Sequence, residues 1–388
     1  MQLDQDITTI TEGKTKILVP KAAIESKVPP MDVAFFNPRA KLSRDFSIIA
    51  YSAFIKKFHG PKTFLDSMSG VGARGLRVAN EIKEIEHVYV NDLNPTALEL
   101  GKKSAEINNL QNYTASEEET CRFLSSFSRK GMRAAIVDID PFGSPTRHLD
   151  CGIRATVHGG ILSVTATDLQ VLHGLFNDAC RKKYYGTPIK THYADEIAIR
   201  LILGCIHLIA ARLDVEATPV FVENNMHYYR VYVRILNKSD TRDMMGFISH
   251  CRSCGNREIG KERKELCDIC SGTMIAAGPL WIGSLFEKEF LKDMLEDIPN
   301  HTVDKKCAKT IQRCILESEM PGCYYTLDEL AEMRKKSPAS LEKSITILQK
   351  NGYASSPTSF NPTGFRTDCK INKILELFSS QIPYPRQM

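Results

Sequence analysis

Three groups of residues have the types and spacing to do chemistry. The first is Asp140-Pro141-Phe142, a carboxylate, a proline-fixed backbone and an aromatic ring in succession after an apolar run. An exocyclic aromatic amine needs such a set, because its nitrogen lone pair is tied into the ring. A carboxylate and a fixed carbonyl accept its N–H groups and draw the nitrogen toward a pyramidal nucleophile, while the aromatic side chain stacks on the base. The second group is Gly70-Val71-Gly72-Ala73-Arg74-Gly75 with Asp92 further on. Glycines let a backbone turn tightly against a ligand, the next helix points free N–H groups at it, and the acid accepts bonds from a ribose diol. By itself this pattern suits NAD, FAD or S-adenosylmethionine. The third is Cys251-x2-Cys254 and Cys267-x2-Cys270, twelve residues apart. Four thiolates at this spacing fit tetrahedral zinc and leave no open position, so the expected metal is structural.

The elements that must position these groups read as alternating strands and helices from Phe64 to Val164, hence a mostly parallel α/β sheet. Asp66 ends the first strand, where it bonds a cofactor directly or through water. Asp92 follows the strand His87–Val90. Pro95 suits the first turn of a helix running to Asn108. Ala134–Val137 leads into Asp140, and Gly159–Thr165 is the next strand. Glu196–Leu213 has helical spacing, with His207 read as a packed or surface histidine, not a catalyst. Val215–Val222 and Tyr228–Leu236, joined at Asn224-Asn225, read as an antiparallel hairpin that ends the sheet. Upstream, Thr8–Leu18 forms a hairpin about Glu12-Gly13, and Ser43 caps a helix to Phe58. Gly13-Lys14-Thr15 lacks the earlier glycine of a phosphate loop.

The expected organisation is a catalytic domain over 1–236, a zinc-binding segment over 237–300 and a winged-helix-like region over 301–388. The last is α+β: helices starting at Thr326 and at Ser337–Ser340, then strands around Phe360–Gly364. Residues 303–388 carry 13 Lys/Arg against 9 Asp/Glu, so +4 of the chain's net +5. Arg334, Lys335, Lys336, Lys343 and Arg366 are candidates for nucleic-acid phosphates, or for the solvated face of a docking module. Lys182–Tyr185 and His192-Tyr193 mix basic and aromatic residues and suit RNA or a plain surface loop.

Asp140-Pro141-Phe142 is similar to the (Asp/Asn)-Pro-Pro-aromatic motif of class I methyltransferases acting on exocyclic amines, which favours S-adenosylmethionine as the cofactor. The chain as a whole resembles the tRNA (guanine-N2)-dimethyltransferase family, which dimethylates guanosine 26. The resemblance is carried, in order, by Glu12–Lys16, Phe35–Arg39, Ser43–Asp45, Gly70–Arg77, Asp138–Pro145, Gly160–Leu162, Thr165–Asp168 and Gly278–Gly283. It implies that Arg44 contacts the cofactor's methionine carboxylate and that Phe35 lines the target-base pocket. Asp140, Pro141 and Phe142 then do the chemistry, and Asp66, Gly70, Gly72 and Asp92 hold the cofactor. Arg74 meets the cofactor or a phosphate, or caps the sheet edge. An acid before Thr120 takes the adenine amino group; Glu119 stands where the family has Asp, beside Glu117 and Glu118. An amine methyltransferase of rRNA or DNA shares this core, and a non-catalytic RNA-binding protein with a relict cofactor fold is the rival of another class.

The hydrophobic (43%) and charged (25%) fractions of the 388 residues are those of a globular protein. No apolar run reaches the roughly 18 residues of a membrane span, and the N-terminus has no basic-then-apolar signal pattern. Cysteines scattered in core-like segments, Cys180, Cys205 and Cys314 among them, point to a reducing cytoplasm. The expected partner is tRNA, with no membrane; a monomer is compatible with the sequence, which does not fix the oligomeric state.

Overall fold

The computed structural model describes residues 6–26, 34–237, 243–335 and 340–379. It opens with β1 (Ile7–Glu12) and β2 (Thr15–Pro20), an antiparallel hairpin that turns at Gly13-Lys14 as expected. α1 (Lys21–Glu25) follows, then α2 (Lys41–Lys57). Ser43 does not cap α2. A single turn at Pro38–Ala40 runs directly into the helix, so Ser43 lies buried inside its first turn.

The catalytic sheet is built from β3 (Thr63–Asp66), α3 (Ala73–Glu81), β4 (His87–Asn91), α4 (Pro95–Ile107), β5 (Tyr113–Ser116), α5 (Thr120–Ser126), β6 (Ala134–Ile139), α6 (Leu149–Ala155) and β7 (Thr156–Ala166). Two shorter helices, α7 (Leu169–Leu172) and α8 (Asn177–Tyr184), lead to the long α9 (Ala194–Arg212), β8 (Glu216–Asn225) and β9 (Tyr228–Leu236). Strand order is β5-β4-β3-β6-β7-β9-β8, parallel as far as β7 and antiparallel at β9. Every residue of β6 is buried, as a central parallel strand covered on both faces requires. The parallel register brings Asp66, Asn91, Asp138 and the residues after Ile139 to one edge, where ligands bind in open α/β sheets. The closing hairpin forms as expected, but it turns at Met226-His227. Asn225 still pairs with Tyr228, and the Asn224 side chain is held by Asp195 and by the Phe360 carbonyl.

β10 (Met245–Cys251), β11 (Arg257–Gly260) and β12 (Met274–Trp281) make a second, antiparallel sheet. α10 (Lys288–Asp297) and α11 (Lys306–Glu317) follow, and α10 packs against α2. One continuous core joins the catalytic sheet, α2 and α9 to residues of β12, α10 and α11. The chain ends in β13 (Tyr325–Thr326), α12 (Leu327–Arg334), α13 (Leu341–Lys350), β14 (Ser355–Pro357), β15 (Gly364–Thr367) and α14 (Ile371–Ser379). This helix, helix, hairpin order is that of the expected winged helix. Thr326 and Ser340 cap its two helices by accepting from Glu329 N and Lys343 N. Ser337–Ala339 and Lys336 lie outside the described residues.

Candidate active site

A cleft of about 690 Å³ opens at the carboxyl edge of the sheet. Asp140, Pro141, Phe142, Phe35, Arg44, Asp66, Gly70, Arg74, Asp92, Glu119 and Thr120 all line it. Gly72 does not; it is the left-handed residue (φ 77°) that precedes α3. Gly70 also has positive φ (54°), and a Cβ there would stand 2.9 Å from the Phe35 carbonyl oxygen. Only glycine lets the turn pass that close.

Asp92 is held from both sides: Gly70 N–H donates to Oδ2 (2.7 Å) and Asn94 N–H to Oδ1 (2.9 Å). Each oxygen keeps a second lone pair for a ribose hydroxyl. Of the three successive acids, Glu119 is the one that lines the cleft. Its carboxylate caps α5 through Arg122 N–H (2.9 Å). Burial opposes its ionisation, but the Cys121 and Arg122 N–H groups hold the carboxyl below its ordinary range.

Arg44 lines the cleft, yet its guanidinium makes a two-bond pair with buried Glu12 (2.7 and 2.6 Å), and Nη2 also reaches the Asn37 carbonyl. Nη1 is the donor left over. Asp66 is buried and accepts from Gly75 N–H (3.2 Å). Burial, reinforced by the charge of Asp138, pushes its carboxyl well above the usual carboxylate range.

The turn that follows Asp140 is anchored twice. Gly143 N–H donates to Thr167 Oγ1 (2.7 Å), and Thr167 N–H donates to the Gly143 carbonyl (2.9 Å), tying the turn to the end of β7. From beneath, Arg74 Nη2 bonds Asp140 Oδ2 (2.6 Å), its Nε lies 3.3 Å from Asp138 Oδ2, and its Nη1 donates to Ser47. Arg74 is therefore not a solvent-exposed cap of the sheet edge; it is a nearly buried residue in the floor of the cleft. Burial opposes the Asp138 charge, but Arg230 and Arg74 hold its carboxyl below the usual carboxylate range. Tyr51 O–H also donates to Asp138 (2.5 Å). The Phe35 and Phe142 rings meet edge to face at 4.7 Å, and Phe142 is 66% exposed. The result is a carboxylate with one oxygen fixed and the other available, a rigid turn, and two rings open to a base.

Sequence reasoning missed Arg147, His148, Thr165, His227 and Tyr228 among the lining residues. The closing hairpin was legible, and the fact that β8 ends at the catalytic edge was the signal for His227 and Tyr228. Two RNA candidates turn inward. Tyr193 is buried with its hydroxyl 3.1 Å from His250 Nδ1, and Tyr184 O–H donates to Asp168 (2.6 Å). Arg366 cannot meet a phosphate either: it is buried, pairing with Glu317 (2.5 Å) and Glu196 (3.0 Å). His207 is packed against Trp281, as expected. Cys180, Cys205 and Cys314 are buried free thiols, but Cys121 and Cys151 form a disulfide beside His148, against the expectation of reduced cysteines.

The sulfur atoms of Cys251, Cys254, Cys267 and Cys270 lie within 4.8 Å of one another. Cys251–Cys270 and Cys254–Cys267 are 3.5 and 3.6 Å apart, too long for disulfides. Ligands about 2.3 Å from a central tetrahedral zinc would stand about 3.8 Å apart, so the cluster fits a metal.

This sheet order and cleft define a class I methyltransferase. A model of the N2,N2-dimethylguanosine tRNA methyltransferase family matches residues 13–379. The tRNA (guanine(26)-N(2))-dimethyltransferase of Methanobrevibacter smithii is 31% identical over 96% of this chain and 97% of the relative. The tRNA (guanine(26)-N(2)/guanine(27)-N(2))-dimethyltransferase of Aquifex aeolicus is 30% identical over 95% and 94%. The solved complex of Trm1 from Pyrococcus horikoshii with S-adenosyl-L-methionine superposes with a TM-score of 0.83 at 26% identity, covering 95% of this chain and 99% of that one. The chain belongs to the N2,N2-dimethylguanosine tRNA methyltransferase family. No helix among the described residues is long and apolar enough to cross a membrane.

Proposed function

We propose that this protein transfers one and then a second methyl group from S-adenosylmethionine to the exocyclic N2 of guanosine 26 in tRNA. The observation that carries this reading is the Asp140 carboxylate, fixed by Arg74 on Oδ2 and open on Oδ1, beside the Gly70–Asp92 cradle. Asp92 takes the ribose hydroxyls, Glu119 and Thr120 border the adenine, and Arg44 reaches the cofactor carboxylate through Nη1. When bound, the cofactor supplies an electrophilic sulfonium methyl. Asp140 Oδ1 and the backbone carbonyl fixed by Pro141 accept the two N–H groups of the amine and turn its lone pair outward. As the N–C bond forms, the carbon–sulfur electron pair stays on sulfur, and Asp140 Oδ1 receives the proton that N2 sheds. Phe142 and Phe35 hold the base plane. Position and orientation supply much of the acceleration, because the donor is already reactive. The four thiolates hold a structural zinc, remote from the chemistry.

The test offers labelled cofactor to unmodified tRNA, rRNA and DNA, with nucleosides identified by mass. Dimethylguanosine from tRNA alone supports the reading. Label in rRNA or DNA moves it to the wider amine methyltransferase class, and cofactor binding with no transfer to any nucleic acid leaves a binding protein.

A further inference from the structure

The β8–β9 hairpin ends in a two-residue turn, Met226-His227, at the carboxyl edge of the sheet. Tight turns favour Gly, Asn, Asp and Ser, and Asn224-Asn225 lies just upstream. Here those asparagines stay in the strand, and a methionine takes the tip. Met226 is 85% exposed, more than any other large apolar side chain described. Its neighbours His227 and Tyr228 line the catalytic cleft, so Met226 stands at its mouth. The tip is also braced. Asn224 is bonded to Asp195 and to the Phe360 carbonyl, and Tyr228 O–H donates to buried Glu223 (3.1 Å). A highly exposed apolar side chain, on a braced turn, against local turn chemistry, is the kind of inconsistency that marks a functional position.

The reaction supplies the need. A guanine in a tRNA helix must leave its stack before N2 can reach Asp140, and the gap it leaves costs stacking. Unbranched, polarisable methionine fits irregular apolar gaps, and proteins that open base stacks insert side chains of this kind. Leu175 and Phe176 are two further exposed apolar side chains, at 59% and 51%. They follow His173, whose ring is hydrogen-bonded to Tyr229 just beyond the turn.

We propose that Met226 is the wedge that enters the RNA base stack in place of the target guanosine and holds it flipped into the cleft. The proposal rests on the function given above and adds a positioning residue to it. The ligand of this tip is the face of the bases flanking the target.

The experiment compares wild type, Met226→Ala and Met226→Leu on two RNAs. One is unmodified tRNA with 2-aminopurine beside the target; the other presents the target guanosine in a single-nucleotide bulge. For Met226→Ala the account expects kcat/KM on tRNA to fall about tenfold or more, with loss of the 2-aminopurine fluorescence rise. On the bulged RNA its rate should approach wild type, and Met226→Leu should restore both readouts. Cofactor binding is the folding control. Equal rates of wild type and Met226→Ala on tRNA overturn the wedge, as does an equal loss on both RNAs. If wild type methylates neither RNA, the proposed function itself fails, and the wedge falls with it.

Discussion

Arg74 Nη2 lies 2.6 Å from Asp140 Oδ2 while its Nε lies 3.3 Å from Asp138 Oδ2, so one buried guanidinium joins the carboxylate proposed to meet the amine to the floor of the sheet. Asp138 is paired again with Arg230, which makes an alternating chain of charges beneath the site. Burial and Arg230 oppose the charge of Arg74, but Asp138 and Asp140 outweigh them and keep it protonated.

Arg74 should therefore act by orienting Asp140, not by holding the cofactor. A lysine cannot bridge two carboxylates with the same fork. In single-turnover assays Arg74→Lys should lower the methyl-transfer rate about tenfold or more at unchanged cofactor affinity. A loss confined to cofactor affinity would return Arg74 to the cofactor-contact role.

Asp92 holds the glycine turn through Gly70 N–H, and its remaining lone pairs are proposed to take the ribose. Asp92→Ala should weaken cofactor binding by about 2 kcal/mol, the scale of hydrogen bonds to a charged group. Calorimetric titration with the cofactor reads this directly. Unaltered affinity would place the ribose elsewhere.

Glu223 is fully enclosed, accepting from the Tyr232 and Tyr228 hydroxyls (2.6 and 3.1 Å). Burial, only partly countered by Arg230 and Tyr232, pushes its carboxyl up to about 7. The unfolded value is about 4.3. With the folded value the higher, the stability Glu223 contributes is full below about pH 4 and is lost as pH rises through about 7. Glu223→Gln should remove this component, so the wild type should lose more Tm than the variant between about pH 5 and pH 8. Parallel Tm curves would contradict it.

Cys254 and Ile269 pack against the core of the C-terminal helix unit, which ties the thiolate cluster to that unit's stability. Elemental analysis should find zinc in the purified protein. Chelation or Cys254→Ser should remove it and lower Tm, because metal binding there is folding energy. Cofactor affinity should be unchanged. Zinc-free protein with an unaltered Tm would exclude a structural ion.

Arg366 pairs with two buried acids, and Arg366, with Arg200, holds the Glu196 carboxyl down at about 2 against its burial. Arg366→Ala would leave buried Glu317 without a cation and Glu196 with Arg200 alone, and should cost about 3–5 kcal/mol in denaturant unfolding. The salt dependence of tRNA binding should not change. A slope reduced by about one would mark a phosphate contact instead.

Much of this was legible because local chemistry and fold agree. Apolar runs ending in acids marked the parallel strands, and the paired cysteines marked the four-sulfur cluster. What the sequence concealed depends on long-range contacts. Arg74 and Asp140 are 66 positions apart, so periodicity could not pair them. Arg366 in a basic segment looks like a phosphate ligand until β15 turns it toward α9. Ser43 has the composition of a cap, but the turn at Pro38–Ala40 starts the helix earlier.

The most direct test of the central claim is methyl transfer to unmodified tRNA transcripts with guanosine 26 intact or replaced by adenosine, using wild type and Asp140→Ala. The account predicts N2,N2-dimethylguanosine from the intact transcript with wild type, none from the replaced one, and a rate lower by about 10² or more with Asp140→Ala. Dimethylation at wild-type rate by Asp140→Ala, or equal methylation of both transcripts, would contradict it.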